Sequence, residues 1–175
     1  LSMAIMGGAM VSCDNMIETP PPNELLVDDA IKTTDDLQRL LNSSYNEVAN
    51  TFGGFSQMMS EMQSDNLSNP NNNDLRELYS HNVLFFNSTC GGYYSILYRA
   101  IFRANFVQDN MDKVSDLSAA DKERMTGEIK FIRGLCHFTA VRMFAHPYGY
   151  SAKNDHPGIA IVKAASTKPS PRLTV

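Results

Sequence analysis

Two acids, Asp65 and Asp74, lie in one Asn-rich stretch and are the pair this sequence offers for acid–base work on a glycosidic bond. Such a pair must stand about 5 to 10 Å apart in a cleft. Nothing around these two predicts a cleft, and solvated loop acids are the plainer reading. The histidines His81, His137, His146 and His156 lack a metal spacing such as His-x-x-x-His. No metal or other cofactor is therefore expected, and no catalytic residue is assigned. Cys90 and Cys136 could pair as a disulfide outside the cytoplasm. Cys136 falls on an apolar stripe, so a buried free thiol is an equal alternative.

A different chemistry fits the section Ser64 to Tyr94. Sugar recognition needs flat aromatic faces for C–H stacking and polar groups for hydroxyls. Tyr79, Phe85, Phe86, Tyr93 and Tyr94 supply the first, and Asp74, Arg76 and Asn82 the second. The candidate glycan-binding residues are Asp74, Arg76, Tyr79, Asn82 and Tyr93. Tyr79 is the expected stacking ring, because it lies outside any apolar stripe. Arg76 and Asn82 are the expected donors to ring hydroxyls. The section is too long for a plain connector, and long loops often carry function. The competing readings are a decorative insertion, and helix core for Tyr93 and Tyr94.

The elements that would hold this section are helices. Thr33 and Asp36 form a capping box ahead of Leu37, Leu40, Leu41, Tyr45, Val48 and Phe52, which repeat at helical spacing until Gly53-Gly54. A shorter Met-rich helix is expected over Phe55 to Gln63, its methionines filling core. A third helix covers Tyr93 to Val114, with Leu97, Ile101, Ala104, Val107, Met111 and Val114 as its buried stripe and Asn105 as a buried amide with a partner. Ser118 and Asp121 open the last, from about Ala119 to Ala145, whose apolar face is Met125, Ile129, Ile132, Leu135, Cys136 and Met143. His146-Pro147 stops it. The Asp116-Leu117 turn is so short that the two long helices must pack antiparallel. Ala100, Ala104, Gly127 and Gly134 are small enough to let helices approach closely. Ile159 to Val162 could be a short extended segment. The fold class is all-α: tetratricopeptide-like helical hairpins with long irregular loops.

With 175 residues the chain can bury one full core. A net charge of −4 gives no reason to expect nucleic acid as a partner. No stretch reaches the roughly 20 apolar residues that span a bilayer. Residues 1–12 are apolar and small and read as a signal-peptide remnant. Met10-Val11-Ser12-Cys13 then matches a lipobox, which predicts lipidation of Cys13 and attachment to a membrane through the lipid. Residues 13–32, with Thr19-Pro20-Pro21-Pro22, would form an extended tether. Residues 33–175 would be the helical part.

These pieces, in this order, resemble the front part of the SusD/RagB family of glycan-binding outer-membrane lipoproteins. The resemblance rests on Tyr45-Asn46, Ser64-Asp65, and a helix carrying Tyr94, Tyr98, Ile101, Ala104 and Asn105. Its strongest motif is Glu128, Phe131, Arg133, Gly134 and Phe138, followed by Ala145-His146-Pro147-Tyr148-Gly149. Gly134 replaces the usual Ala, and Tyr94 stands where Trp is common. Pro171-Arg172-Leu173-Thr174-Val175 is similar to the family's lead into a further helix. The resemblance implies a surface-exposed lipoprotein of the outer membrane. It implies oligosaccharide binding without catalysis, and delivery to a TonB-dependent (SusC-like) transporter. On the residues alone, Glu128 and Arg133 read as charges tying helix ends or loops together. The runner-up reading is a helical-repeat scaffold that binds a protein partner and no sugar. A third is a hydrolase whose catalytic half lies elsewhere.

Overall fold

The computed structural model describes residues 31–68 and 73–175. The signal remnant, Cys13 and nearly all of the tether lie outside the described residues. Residues 32–175 form the unit considered below.

The architecture is all-α, as the sequence predicts. Helix α1 runs Thr34–Asn50, α2 Ser56–Gln63, α3 Asn73–Tyr79, α4 Ser88–Asn110 and α5 Ala119–Phe144. Among the described residues the only strand-like pairing is a single antiparallel bridge, Pro157 to Thr174. Helix α1 packs on α4, and α4 packs on α5.

The capping chemistry appears where the sequence places it. The Thr33 hydroxyl accepts from the Asp36 N–H, and the Asp36 carboxylate accepts from the Thr33 N–H at 3.0 Å. The hydroxyl of Ser118 accepts from the Asp121 N–H at 3.0 Å. The start of α1 is also tied to the α4–α5 turn, where the Thr34 N–H donates to Asp116 Oδ1 at 3.0 Å. Gly53-Gly54 breaks α1 as expected. Gly54 has φ +136°, a backbone state that residues with a Cβ rarely adopt. The chain kinks there, across a short π segment, Thr51–Phe55, whose Gly53 and Gly54 are not helical, and enters α2.

Three expectations need correction. First, the section read as irregular contains helix α3. Seven residues are too few to show a period, yet α3 buries Leu78 against Met59 and Met62 of α2. Those methionines fill core as expected. Second, α4 begins at Ser88, five residues before Tyr93. Asn87 caps it: its Oδ1 accepts from the Cys90 N–H at 2.9 Å. Gly91-Gly92, which a start at Tyr93 leaves outside the helix, sits inside the first turns with open space around both positions. Third, the buried stripe of α5 is Met125, Ile129, Ile132, Cys136, Thr139 and Ala140. Leu135 is only half-buried at the edge of that stripe. Gly127 and Gly134 lie exposed, and a Cβ at either would touch nothing within 4 Å. Close helix approach is instead a matter for Ala100 and Ala104, both fully buried.

Cys90 and Cys136 are free thiols. Burial pushes the Cys136 thiol up to about 12. Cys90 is raised too, by burial first and then by the carboxylates of Glu77 and Asp74.

After α5 the chain runs back along the α4/α5 pair. Tyr98 donates its hydroxyl to the Ala160 carbonyl at 2.8 Å, and Asn105 Nδ2 donates to the Val162 carbonyl at 3.3 Å. The Val162 N–H donates to His137 Nε2 at 3.1 Å. Arg172 reaches the other end: its Nη2 donates to the Phe144 carbonyl at 3.1 Å and its Nε to the Gly158 carbonyl at 2.6 Å. A cation there satisfies a carbonyl that the end of α5 leaves open. Gly158 lets the final residues pass close by, since a Cβ would meet the Leu173 carbonyl oxygen at 3.0 Å.

Candidate functional site

The five candidate residues separate into three that are open and two that are committed. Asp74 and Glu77 of α3 build the connection to α4. Asp74 Oδ2 accepts from the Ser88 N–H at 3.1 Å and from the Ser88 hydroxyl. Glu77 Oε2 accepts from the Leu84 N–H at 3.1 Å and from Asn87 Nδ2 at 2.8 Å. Asn87 Nδ2 also donates to the Asp74 carbonyl at 2.9 Å. Asp74 therefore shapes the loop, and its carboxylate is already occupied. Tyr93 is wholly buried: its ring packs edge-on against Phe55 at 5.3 Å, and its hydroxyl donates to the Ser56 hydroxyl at 3.1 Å. It belongs to the core, the alternative that its place in a helix allowed.

Arg76, Tyr79 and Asn82 are exposed. Tyr79 closes α3 rather than standing in a loop. Among the described residues neither the Arg76 guanidinium nor the Asn82 side-chain amide has a hydrogen-bond or ion-pair partner. The turn that follows passes through His81 at φ +53° and carries Val83, Leu84, Phe85 and Phe86 to the surface. Phe85 is 93% exposed and Phe86 89%, their rings edge-to-face at 5.1 Å. Two such rings in water are an exposed apolar patch, and such patches mark binding surfaces.

The antiparallel α4/α5 pair brings a second set of rings to the same end of the hairpin. The start of α4 and the end of α5 share a cavity of about 470 Å³, lined by Leu78, His81, Val83, Cys90, Met143 and Phe144. Just beyond Phe144, Tyr148 and Tyr150 are exposed, and the Tyr150 ring stacks on His146 at 3.9 Å. In the sequence His146-Pro147 is a helix stop, and the exposed rings beside it are a site feature that reading does not contain. The Tyr-x-Tyr alternation across a Pro-Gly turn was the available signal.

The motif residues of α5 sit elsewhere and hold structure together. Arg133 Nη1 donates to Asn105 Oδ1 at 3.1 Å, to Gln108 Oε1 at 2.9 Å and to the Lys163 carbonyl at 3.2 Å. Glu128 does not meet Arg133. It accepts from Arg124 at 2.5 Å and stands close enough to the Tyr45 hydroxyl of α1 to act on its ionisation. Burial, and then the Glu128 charge, raise the Tyr45 hydroxyl above its ordinary value. This places Tyr45, Asn105, Glu128 and Arg133 in the scaffold, as the reading of those charges expected.

Among the described residues no group of three His, Cys, Asp or Glu side chains could hold a metal ion. Among them, too, no helix is long and apolar enough to cross a membrane. The described residues form an all-helical frame with aromatic loops at one end and a motif that locks the frame. That is a class of binding module. A family of SusD-like proteins, described as starch-binding and associating with the outer membrane, matches residues 17–175, and the chain belongs to it. No curated protein matches the sequence.

Proposed function

We propose that this chain is the helical part of a non-enzymatic surface lipoprotein. It binds oligosaccharides and hands them to a TonB-dependent outer-membrane transporter, with Cys13 carrying the lipid. The observation behind the glycan role is the α3–α4 connection. Two phenylalanines stand almost fully in water there, in the same stretch of chain as Tyr79, Arg76 and Asn82, whose guanidinium and amide have no partner among the described residues. Apolar ring faces take the C–H face of a sugar, and the guanidinium and amide bond its hydroxyls. Asp74, Glu77 and Asn87 hold the loop in shape beneath them.

The test is calorimetric titration of the full-length protein against a panel of polysaccharides, repeated with Tyr79→Ala and with Phe85→Ala. Loss of one stacking ring should weaken binding by about 1 to 3 kcal/mol, by analogy with base stacking. If a glycan binds and both variants change its affinity less than about twofold, this loop is not the site. If no glycan binds, the protein-binding scaffold becomes the better reading. The anchor is tested separately. A fatty-acid probe should label the protein in its host, and Cys13→Ala should abolish both labelling and surface retention.

A further inference from the structure

One face of α4 carries two parallel rails. Tyr94, Tyr98 and Phe102 recur every fourth residue, and beside them run Ser95, Arg99 and Arg103 at the same interval. At 1.5 Å per residue each rail is about 12 Å long. The rails form one wall of an open groove of about 660 Å³, whose other wall is the returning chain from Ala160 through Ser170, including Lys168. That volume lies within the range of small-molecule sites. The aromatic rail is ordered, with the Tyr94 and Tyr98 rings stacked at 4.3 Å, 26° from parallel. The Tyr98 hydroxyl is fixed on the Ala160 carbonyl, so the floor of the groove is tied to its far wall.

The charges are unbalanced. A single carboxylate, the nearly buried Glu47 of α1, answers both arginines: Arg99 Nη2 at 3.3 Å and Arg103 Nη1 at 3.0 Å. Arg103 Nη1 also donates to the Ser43 carbonyl at 3.1 Å. Each guanidinium has five N–H donors. Nε and Nη1 of Arg99, and Nε and Nη2 of Arg103, have no partner among the described residues. The Arg99 side chain is 55% exposed. Lys168, on the far wall, has no ion pair there either. The Asp109 carboxylate also reaches the far wall, but it is taken up by the Ala165 N–H at 2.7 Å. Three cations against two carboxylates, both already engaged, leave the groove positive on a chain whose net charge is −4.

We infer that this groove binds an acidic saccharide, packed along the apolar rail of Tyr94, Tyr98 and Phe102, with its carboxylate or sulfate group held by Arg99, Arg103 and Lys168. The inference rests on the glycan reading above and adds the ligand's charge and a second surface, distinct from the α3–α4 loop. Planar guanidinium donors match an oxyanion in pairs. The flat rings beside them suit a sugar ring and would be wasted on a free inorganic anion.

The experiment titrates the full-length protein with three probes at low and at raised salt. A de-esterified oligogalacturonate is the carboxylate arm, a chondroitin sulfate oligosaccharide the sulfate arm, and maltohexaose the neutral control. One acidic probe should bind at least tenfold more tightly than maltohexaose, and salt should weaken it. Arg99→Gln combined with Lys168→Gln should lower that affinity at least tenfold and leave maltohexaose unchanged. Lys168→Gln alone breaks no side-chain hydrogen bond or ion pair among the described residues, and an unchanged urea midpoint separates its loss of affinity from unfolding. Equal or tighter binding of maltohexaose overturns the inference, as does acidic binding indifferent to both substitutions. In the first case the glycan reading survives without it. Only the failure of all three probes and of the polysaccharide panel would remove both.

Discussion

Arg133 Nη1 and Asn105 Oδ1 stand 3.1 Å apart, joining α5 to a fully buried amide on α4. The other end of that amide bonds the Val162 carbonyl, and Arg133 itself reaches the Lys163 carbonyl. Two side chains thus fix one stretch of backbone that has no sheet to join. A charged donor serving three acceptors is worth more than a neutral bond. Arg133→Met should destabilise the protein by about 1.5 to 3 kcal/mol, because Asn105 Oδ1 then stays buried without a donor. Urea unfolding checks this. A loss no larger than that of Arg142→Met, an exposed arginine later on the same helix, would mean that the segment is held without Arg133.

The helical phase of α5 makes a second prediction. Ile132 is fully buried, whereas Leu135 is half-exposed. Ile132→Ala should cost about 2 to 5 kcal/mol, Leu135→Ala clearly less, and the exposed Lys130→Ala under about 0.5 kcal/mol. Equal losses at Ile132 and Leu135 would place the stripe where the sequence pattern first put it.

Gly127 and Gly134 give a prediction of opposite sign. Both are helical and exposed, with nothing for a Cβ to strike. Gly127→Ala and Gly134→Ala should each stabilise the protein by about 0.5 to 1 kcal/mol, because glycine loses more backbone freedom on folding than alanine. A fall in the unfolding midpoint for either would show that its neighbours come closer than the geometry here allows.

The long helices were legible because their signals are local and repeated. Two caps, an apolar residue at every third or fourth place, and a double glycine set α1 and α5 to within a residue or two. What escaped had only one turn or one partner to announce it. Helix α3 is seven residues long, and its Leu78 finds its contacts in α2 rather than in its own period. The start of α4 depends on Asn87, whose capping role is fixed by Asp74 and Glu77 thirteen and ten residues away. The candidate site divided for the same reason. Tyr79 and Tyr93 look alike in sequence, but the position of α4 against the π segment decides that only Tyr93 is enclosed. The basic rail of α4 had a readable signal in Arg99 and Arg103, four residues apart, but its meaning comes from the chain that returns opposite it.

The last prediction concerns pH. His137 Nε2 accepts the Val162 N–H at 3.1 Å, so the imidazole must be neutral at that nitrogen. Burial holds its pKa below the ordinary value of 6.5, and the Arg133 charge adds to the lowering. In the unfolded chain the same ring takes up a proton near 6.5. The unfolded state therefore binds more protons in the interval just below that value, and stability rises with pH there. The contribution of His137 is complete above about pH 7 and is lost as the pH falls through 6.5 toward the depressed folded value. Protonation also turns the acceptor into a donor facing the Val162 N–H, which should loosen the segment that lines the α4 groove. Urea unfolding between about pH 7 and pH 5 should show wild-type stability falling on acidification. His137→Gln removes the titrating group and should reduce that slope, while starting less stable at neutral pH. Identical pH slopes for wild type and variant would mean that His137 carries a proton equally well in both states, and that the Val162 contact does not govern its ionisation.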